Sequence, residues 1–181
     1  ADGAETHTIS VAGSVTHSGS ASLEADLTIV MNGTGTQTVT TSSTGYIGSL
    51  QISNTTATVS LGSNLLMLGS LTIDASTTLD VTATNYNITV RRSWTRNGTF
   101  TQRQGTVTFT ANNGNLTITG ATTFYNLSMG SGDGFNISDD LIVQNNLTIT
   151  KIQNEIVADV AETNTISVAG SVTHSGSASL E

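Results

Sequence analysis

Neither cysteine nor proline occurs anywhere in the 181 residues. Without cysteine there is no disulfide framework and no thiolate metal site. Proline cannot donate to a β ladder and breaks one, so its absence is what long hydrogen-bonded ladders require. Charge is scarce too, at 10% of residues against the usual level of about 25%. A disordered acidic chain carries more charge and fewer β-branched residues, so disorder is excluded. The net charge of −8 and sequence pI near 4.5 oppose a phosphate-backbone partner, which rules against nucleic acid. Apolar runs such as Leu65-Leu66-Met67-Leu68 are far too short to cross a bilayer, so this segment does not insert in a membrane. Aromatics make up only 4%.

Threonine and serine fill the space left, with 34 and 22 residues. Thr, Val and Ile are stiff at the first side-chain torsion and suit a pleated surface. Apolar residues alternate with polar ones in short segments: Leu27, Ile29 and Met31, then Leu50 and Ile52, Val59 and Leu61, Leu65 and Met67, Leu71 and Ile73. Leu79 with Val81, Ile88 with Val90, Val107 with Phe109 and Leu116 with Ile118 continue the series. This is the period-two pattern of half-buried strands, and no segment holds apolar residues at helical spacing. The chain is therefore expected to be all-β.

One stretch is written twice. Residues 1–24 and 158–181 agree at 22 of 24 positions, differing only at Gly3 against Val160 and His7 against Asn164. A fixed long period marks a tandem array. Residues 1–157 then form one full repeat and 158–181 the start of the next, in a single repeat-built segment. A weaker repeat lies inside. Val59, Leu61, Leu65, Met67, Leu71 and Ile73 align with Phe135, Ile137, Leu141, Val143, Leu147 and Ile149 at an offset of 76, and Ile88 and Val90 with Ile166 and Val168 at 78. The long repeat is thus two diverged halves of about 78 residues.

Two architectures fit. A string of Ig-like β-sandwiches of about 78 residues is one, but its cores are aromatic-rich and its strands longer. The other is a parallel β-solenoid, whose narrow core needs only a few aliphatics per rung and stacks Asn and Thr in ladders. The solenoid is favoured. Rungs of roughly 20–25 residues make about seven per 157-residue repeat, spanning roughly 33 Å at ~4.8 Å between strands. Residue 158 then begins what residue 1 begins, one period further along a fibre.

Candidate sites are few. All four arginines, Arg91, Arg92, Arg96 and Arg103, surround the only tryptophan, Trp94. As a basic aromatic patch they could hold an acidic glycan or partner. Strict alternation would point Arg92 and Trp94 inward together, which is unfavourable for an unpaired charge. A corner that frees Arg92, with the Trp94 indole in the core, resolves this. Asp133, Asp139 and Asp140 cluster in a glycine-rich stretch, a weak calcium candidate because calcium takes six to eight oxygen ligands. Their spacing matches no calcium-loop pattern, so an ordinary turn is favoured and no cofactor is expected. Asn-x-Ser/Thr occurs at Asn32, Asn54, Asn87, Asn97, Asn115, Asn126, Asn136 and Asn146, which a glycosylating host could modify. His7, His17 and His174 are a poor metal set, since His174 repeats His17 and Asn164 replaces His7. Thr-x-Thr pairs are too irregularly placed for an ice-binding face. No nucleophile with a base, paired carboxylates or phosphate-cradling loop is recognisable, so no enzyme is expected.

The stretches GSLTIDASTTLDVTATNYNITV, SWTRNGTFTQRQGTVTF and NLTITGATTFYNLSM resemble repeats of very large secreted or surface-attached bacterial and archaeal proteins. These are adhesin-like proteins of the β-helix type. The likeness covers residues 70–150 best and transfers no catalytic residue. It implies an extracellular fibre, stalk or adhesive surface. The partners expected are neighbouring repeats or subunits end to end, and surface glycans or neighbouring cells.

Overall fold

The computed structural model describes residues 5–110, 116–132, 134–152, 156–158 and 163–175, all in strands, turns and loops with no helix. The first turn of chain holds β1 (His7–Val11) and β2 (Val15–His17). The second holds β3 (Leu27–Met31) and β4 (Gln37–Thr41), and the third β5 (Ser49–Ile52), β6 (Val59–Leu61) and β7 (Leu65–Leu66). The fourth comprises β8 (Leu71–Ile73), β9 (Thr78–Asp80) and β10 (Ile88–Val90). The fifth comprises β11 (Trp94–Arg96), β12 (Thr99–Thr101) and β13 (Thr106–Phe109). Then come β14 (Leu116–Thr119), β15 (Thr122–Phe124) and β16 (Asn126–Gly132), followed by β17 (Phe135–Ile137), β18 (Leu141–Val143) and β19 (Leu147–Ile152). The last are β20 (Ile156–Ala158), β21 (Ile166–Val168) and β22 (Val172–Ser175).

Each strand pairs in parallel with its counterpart one turn away, so the molecule is a three-sided parallel β-solenoid of about seven turns. Face one is an unbroken eight-stranded sheet, β1-β3-β5-β8-β11-β14-β17-β20. Face three carries β7-β10-β13-β16-β19-β22. Face two is split into β2-β4-β6-β9-β12 and β15-β18-β21. Partners on face one differ by 20, 21, 21, 23, 24, 19 and 21 residues, from His7 on Leu27 to Phe135 on Ile156. The turns therefore match the expected rung length, the shortest being one residue below it.

Alternation fills the interior. Every inward residue anticipated from β5 to β14 is buried, and so are Ile29, Met31, Leu127, Met129, Leu141, Val143, Leu147 and Ile149. Each contributes roughly 1.5–3 kcal/mol by leaving water, and residues such as Thr72, Thr89, Thr108, Thr117 and Thr148 alternate with them along the strands. No sandwich is formed. The corners are closed by polar ladders that repeat from turn to turn. Ser49 Oγ accepts from Ser70 N–H at 3.0 Å and Ser70 Oγ from Ser93 N–H at 3.2 Å. Asn64 Oδ1 accepts from Asn87 N–H at 2.9 Å, and Asn87 Oδ1 from Thr106 N–H at 2.8 Å. At one corner the polar side chains lie wholly inside: Gln37 Nε2 donates to Val11 O and Gly13 O, while its Oε1 accepts from Asn54 Nδ2 at 3.0 Å. Buried amides are tolerated there because these bonds satisfy them.

The aromatic side chains concentrate where face two breaks, between β12 and β15. Trp94 stands 5.0 Å from Phe100 and 5.4 Å from Phe124, centroid to centroid, and 6.0 Å from Phe109. Phe109 lies 6.4 Å from Phe135. Edge-on packing of this kind adds to area burial. The rings thus fill the volume that opens where the ladder is interrupted.

The sequence repeat does not run straight up the stack. Leu50 and Ile52 (β5, face one) recur as Leu127 and Met129 in β16 on face three. Val59 and Leu61 (β6, face two) recur as Phe135 and Ile137 in β17 on face one, and Leu65 (β7, face three) as Leu141 in β18 on face two. Every such pair is separated by eleven strand positions, as from β5 to β16, and three-sided turns would need twelve to return to the same face. Each half-repeat therefore steps round by one face. Over two halves, β1 on face one is answered by β21 on face two, and β2 on face two by β22 on face three.

Candidate functional site

Arg91 and Arg92 lie on the corner by which the chain leaves β10 before it enters β11, Arg103 lies on the corner after β12, and Arg96 is the last residue of β11. Arg91 reaches back along the corner, its guanidinium 4.5 Å from the Tyr46 ring centroid and its Nη2 donating to the Tyr46 hydroxyl at 3.2 Å. Arg92 is exposed and pairs with Asp26 at 2.9 Å. Arg96 donates from Nη1 to Gly98 O at 2.6 Å and from Nη2 to Ala121 O. Gly98 precedes β12 and Ala121 precedes β15, so this guanidinium ties together the two turns between which face two is broken. Arg103 forms a forked pair with Asp80, both bonds at 2.7 Å. The hydrogen bond from Arg103 holds the Asp80 carboxyl below its ordinary range, and Asp80 in return holds the Arg103 guanidinium above its own.

Trp94 takes no part in any surface patch. Its side chain is fully buried, and its indole N–H donates to Thr122 Oγ1 at 3.2 Å inside the stack. The basic aromatic patch that the sequence permits is thus dismantled by the fold: the indole goes into the core and each guanidinium is spent on another part of the stack. The reason is topological. Residues 26, 46, 80 and 121 are far along the chain from their arginines, yet lie only one to three turns away in the stack.

Of the calcium candidates, Asp133 lies outside the described residues. Asp139 Oδ2 accepts from Gly120 N–H at 2.7 Å. Asp140 Oδ1 accepts from the Thr165 N–H and hydroxyl at 2.8 and 2.9 Å, and the backbone bond, then the hydroxyl bond, lowers its pKa. Both carboxylates bond to the chain itself, and among the described residues no three His, Asp or Glu side chains gather. His17 lies on face two of the first turn and His174 on face three of the last, so the histidines are not brought together.

The glycosylation sequons divide by position. Asn32, Asn87, Asn97 and Asn146 are exposed, and Asn126 and Asn136 half-buried. Asn54 is buried, its Nδ2 donating to Gly35 O and its Oδ1 accepting from Ala57 N–H. A glycan could join it only if that corner opened. Asn115 lies outside the described residues.

A shallow open depression at the corner between faces two and three went unnoticed in the sequence. Ala83, Asn85, Arg103, Gln104, Tyr125 and Gln144 line it. They come from four separate stretches of chain, and no local motif links them. An aromatic ring beside amides and a guanidinium can stack on and hydrogen-bond a sugar ring. Comparisons with protein-family models, curated proteins and solved structures gave no match.

Proposed function

We propose that this chain is a structural segment of an extracellular filament, fibre or surface stalk, built by end-to-end stacking of β-solenoid repeats. The observation that carries the reading is the duplicated stretch, which lies in the stack as a turn one period further on, paired in parallel with the turn before it. Stacked turns bury each other's apolar faces, so each further repeat extends the stack by the same parallel pairing. The role is to extend, persist and adhere rather than to catalyse, with other copies and surface glycans as partners. Electron microscopy of the assembled protein tests this: thin unbranched filaments are expected, whereas compact molecules that stay monomeric at high concentration would contradict it.

A second reading, glycan binding, is favoured by the depression around Tyr125 rather than by the buried Trp94. Glycan-array binding lost on Tyr125→Ala, but kept on Arg92→Ala, would support it. Binding that survives Tyr125→Ala would remove that depression from consideration.

A further inference from the structure

We infer that the corner depression around Tyr125 takes a neutral glycan and rejects acidic ones, with Asp80 as the residue that sets this selectivity. The inference rests on the glycan-binding reading and names the class of sugar. Charge decides it. Among the six residues that line the depression, Arg103 alone is charged. Asp80 cancels that charge: Nε and Nη2 of Arg103 each meet one of its carboxylate oxygens at 2.7 Å. Asp80 is itself anchored, because its Oδ1 also accepts from Thr82 N–H at 2.7 Å. The bond from Arg103 keeps the Asp80 carboxyl below its usual range, so the pair is ionised at neutral pH. An acidic sugar finds no uncompensated cation here, on a chain whose net charge is −8.

What remains is suited to hydroxyl groups. The chain already uses two of the amide oxygens at the rim. Asn85 Oδ1 accepts from Gln104 N–H at 3.0 Å, and Gln144 Oε1 from Gln102 Nε2 at 3.2 Å. The NH2 groups of Asn85 and Gln144 stand outside those bonds, as Nη1 of Arg103 stands outside its fork. The Gln104 side-chain amide adds both a donor and an acceptor. Sugar hydroxyls accept from such groups and donate in return, with no ionic charge to desolvate.

Tyr125 provides the flat surface for a sugar ring, being half-buried and the one aromatic residue of the lining. Ile88 pairs with Val107 and Thr106 with Asn126, so Tyr86, Gly105 and Tyr125 share one register position in three successive turns. The middle position has to stay bare, since a Cβ on Gly105 would meet Tyr86 O at 2.6 Å. The backbone of this corner is also held in a costly form. Of the four described non-glycine residues with left-handed backbone, Thr82, Asn85 and Arg103 lie here, at φ 63°, 61° and 42°. For a β-branched residue such as Thr82 that conformation is a genuine outlier. Such backbone persists only where its surroundings impose it, and it clusters at sites that hold ligands. Here it fixes the positions of Asn85 and Arg103, two donors of the rim, before a ligand arrives.

The test applies the full chain to an array of neutral, uronate-containing, sialylated and sulfated glycans. Tyr125→Ala and Asp80→Asn are run beside it, each first checked for β structure by circular dichroism. Neutral glycans alone should bind the unsubstituted chain, and Tyr125→Ala should lose them. Asp80→Asn leaves the Arg103 charge uncancelled and should gain acidic glycans. A second measurement needs no variant. Binding of the strongest hit should change less than about twofold between low and high salt, whereas attraction to an acidic sugar would be screened away. Acidic glycans bound by the unsubstituted chain and lost on Tyr125→Ala would overturn the selectivity and leave the glycan reading standing. A folded Asp80→Asn that gains no acidic glycan would overturn the role given to Asp80. An array on which Tyr125→Ala loses nothing overturns both the selectivity and the glycan reading.

Discussion

Faces one and two are built from the same chain in the same turns, yet one runs unbroken through eight strands and the other divides into five and three. Face one keeps its backbone ladder throughout, with aliphatic residues stacked in columns such as Ile29, Leu50 and Leu71, and Trp94 next in line. Face two loses its ladder between β12 and β15, and that is where the aromatic rings and the Arg96 tie are concentrated. The longest steps on face one, 23 and 24 residues, meet at Trp94 and flank the same level. A solenoid can therefore give up backbone pairing locally if side chains span the gap. Large rings restore the buried volume and a guanidinium restores the carbonyl bonds.

Substitutions on the two sides of this comparison rank in a definite order. Trp94→Ala removes the ring at the centre of the aromatic group, and a loss of about 3–5 kcal/mol is expected from equilibrium denaturation. Gly120→Ala comes next. Gly120 sits at φ +87° with the Arg96 carbonyl only 2.0 Å from where a Cβ would lie, so the corner before β15 must shift. A cost of about 1–3 kcal/mol is expected, read as a lower thermal midpoint. Arg96→Met keeps the stem and removes the two carbonyl bonds across the break. About 1–2 kcal/mol should go, with faster amide exchange in β12 and β15 than in β11 and β14. Equal exchange on both faces would mean that the tie does not support the break.

The smallest effect is at the surface, at the Arg103–Asp80 pair. The folded pKa of Asp80 is lowered, chiefly by its bond from Arg103. Its stabilisation is therefore present in full above the ordinary carboxylate value of about 3.9 and fades as pH falls through the lowered folded value. Arg103→Gln should flatten that acid limb by removing a small stabilisation at pH 7 while leaving stability at low pH nearly unchanged. An unchanged acid limb would show that the pair is not coupled to folding.

The inward columns were legible because period-two alternation is local: each strand states its own buried face. All-β character and rung length followed from the same signal. The one-face step was not legible, because alignment shows that Leu50 matches Leu127 but not how many sides a turn has. Nor could the arginine partners be seen, since Arg92 meets Asp26 across 66 residues and Arg91 meets Tyr46 across 45. Gln37 and Asn54 break the apolar alternation and carry no sequence signal of burial, yet their corner is internal and their amides bond within it. The 78-residue offset that aligns Ile88 and Val90 with Ile166 and Val168 sets Trp94 against Val172, and so against Val15 in the first copy, which marks Trp94 as a core position. Its task at the break in face two depends on strands 28 residues apart, as its bond to Thr122 shows.

The most direct test of the account is where the second copy of the duplicated stretch lies. Nitroxide labels on Ile142→Cys and Ser167→Cys would sit on paired outward positions of β18 and β21, on face two. If the copy instead returned to the face of the first copy, Ser167 would lie over the face-one column Val30, Gln51, Thr72, Thr95 and Thr119, which continues to Ser138. Stronger spin–spin broadening for the 142–167 pair than for a 138–167 pair is the predicted result. Stronger broadening for 138–167 would contradict the one-face step.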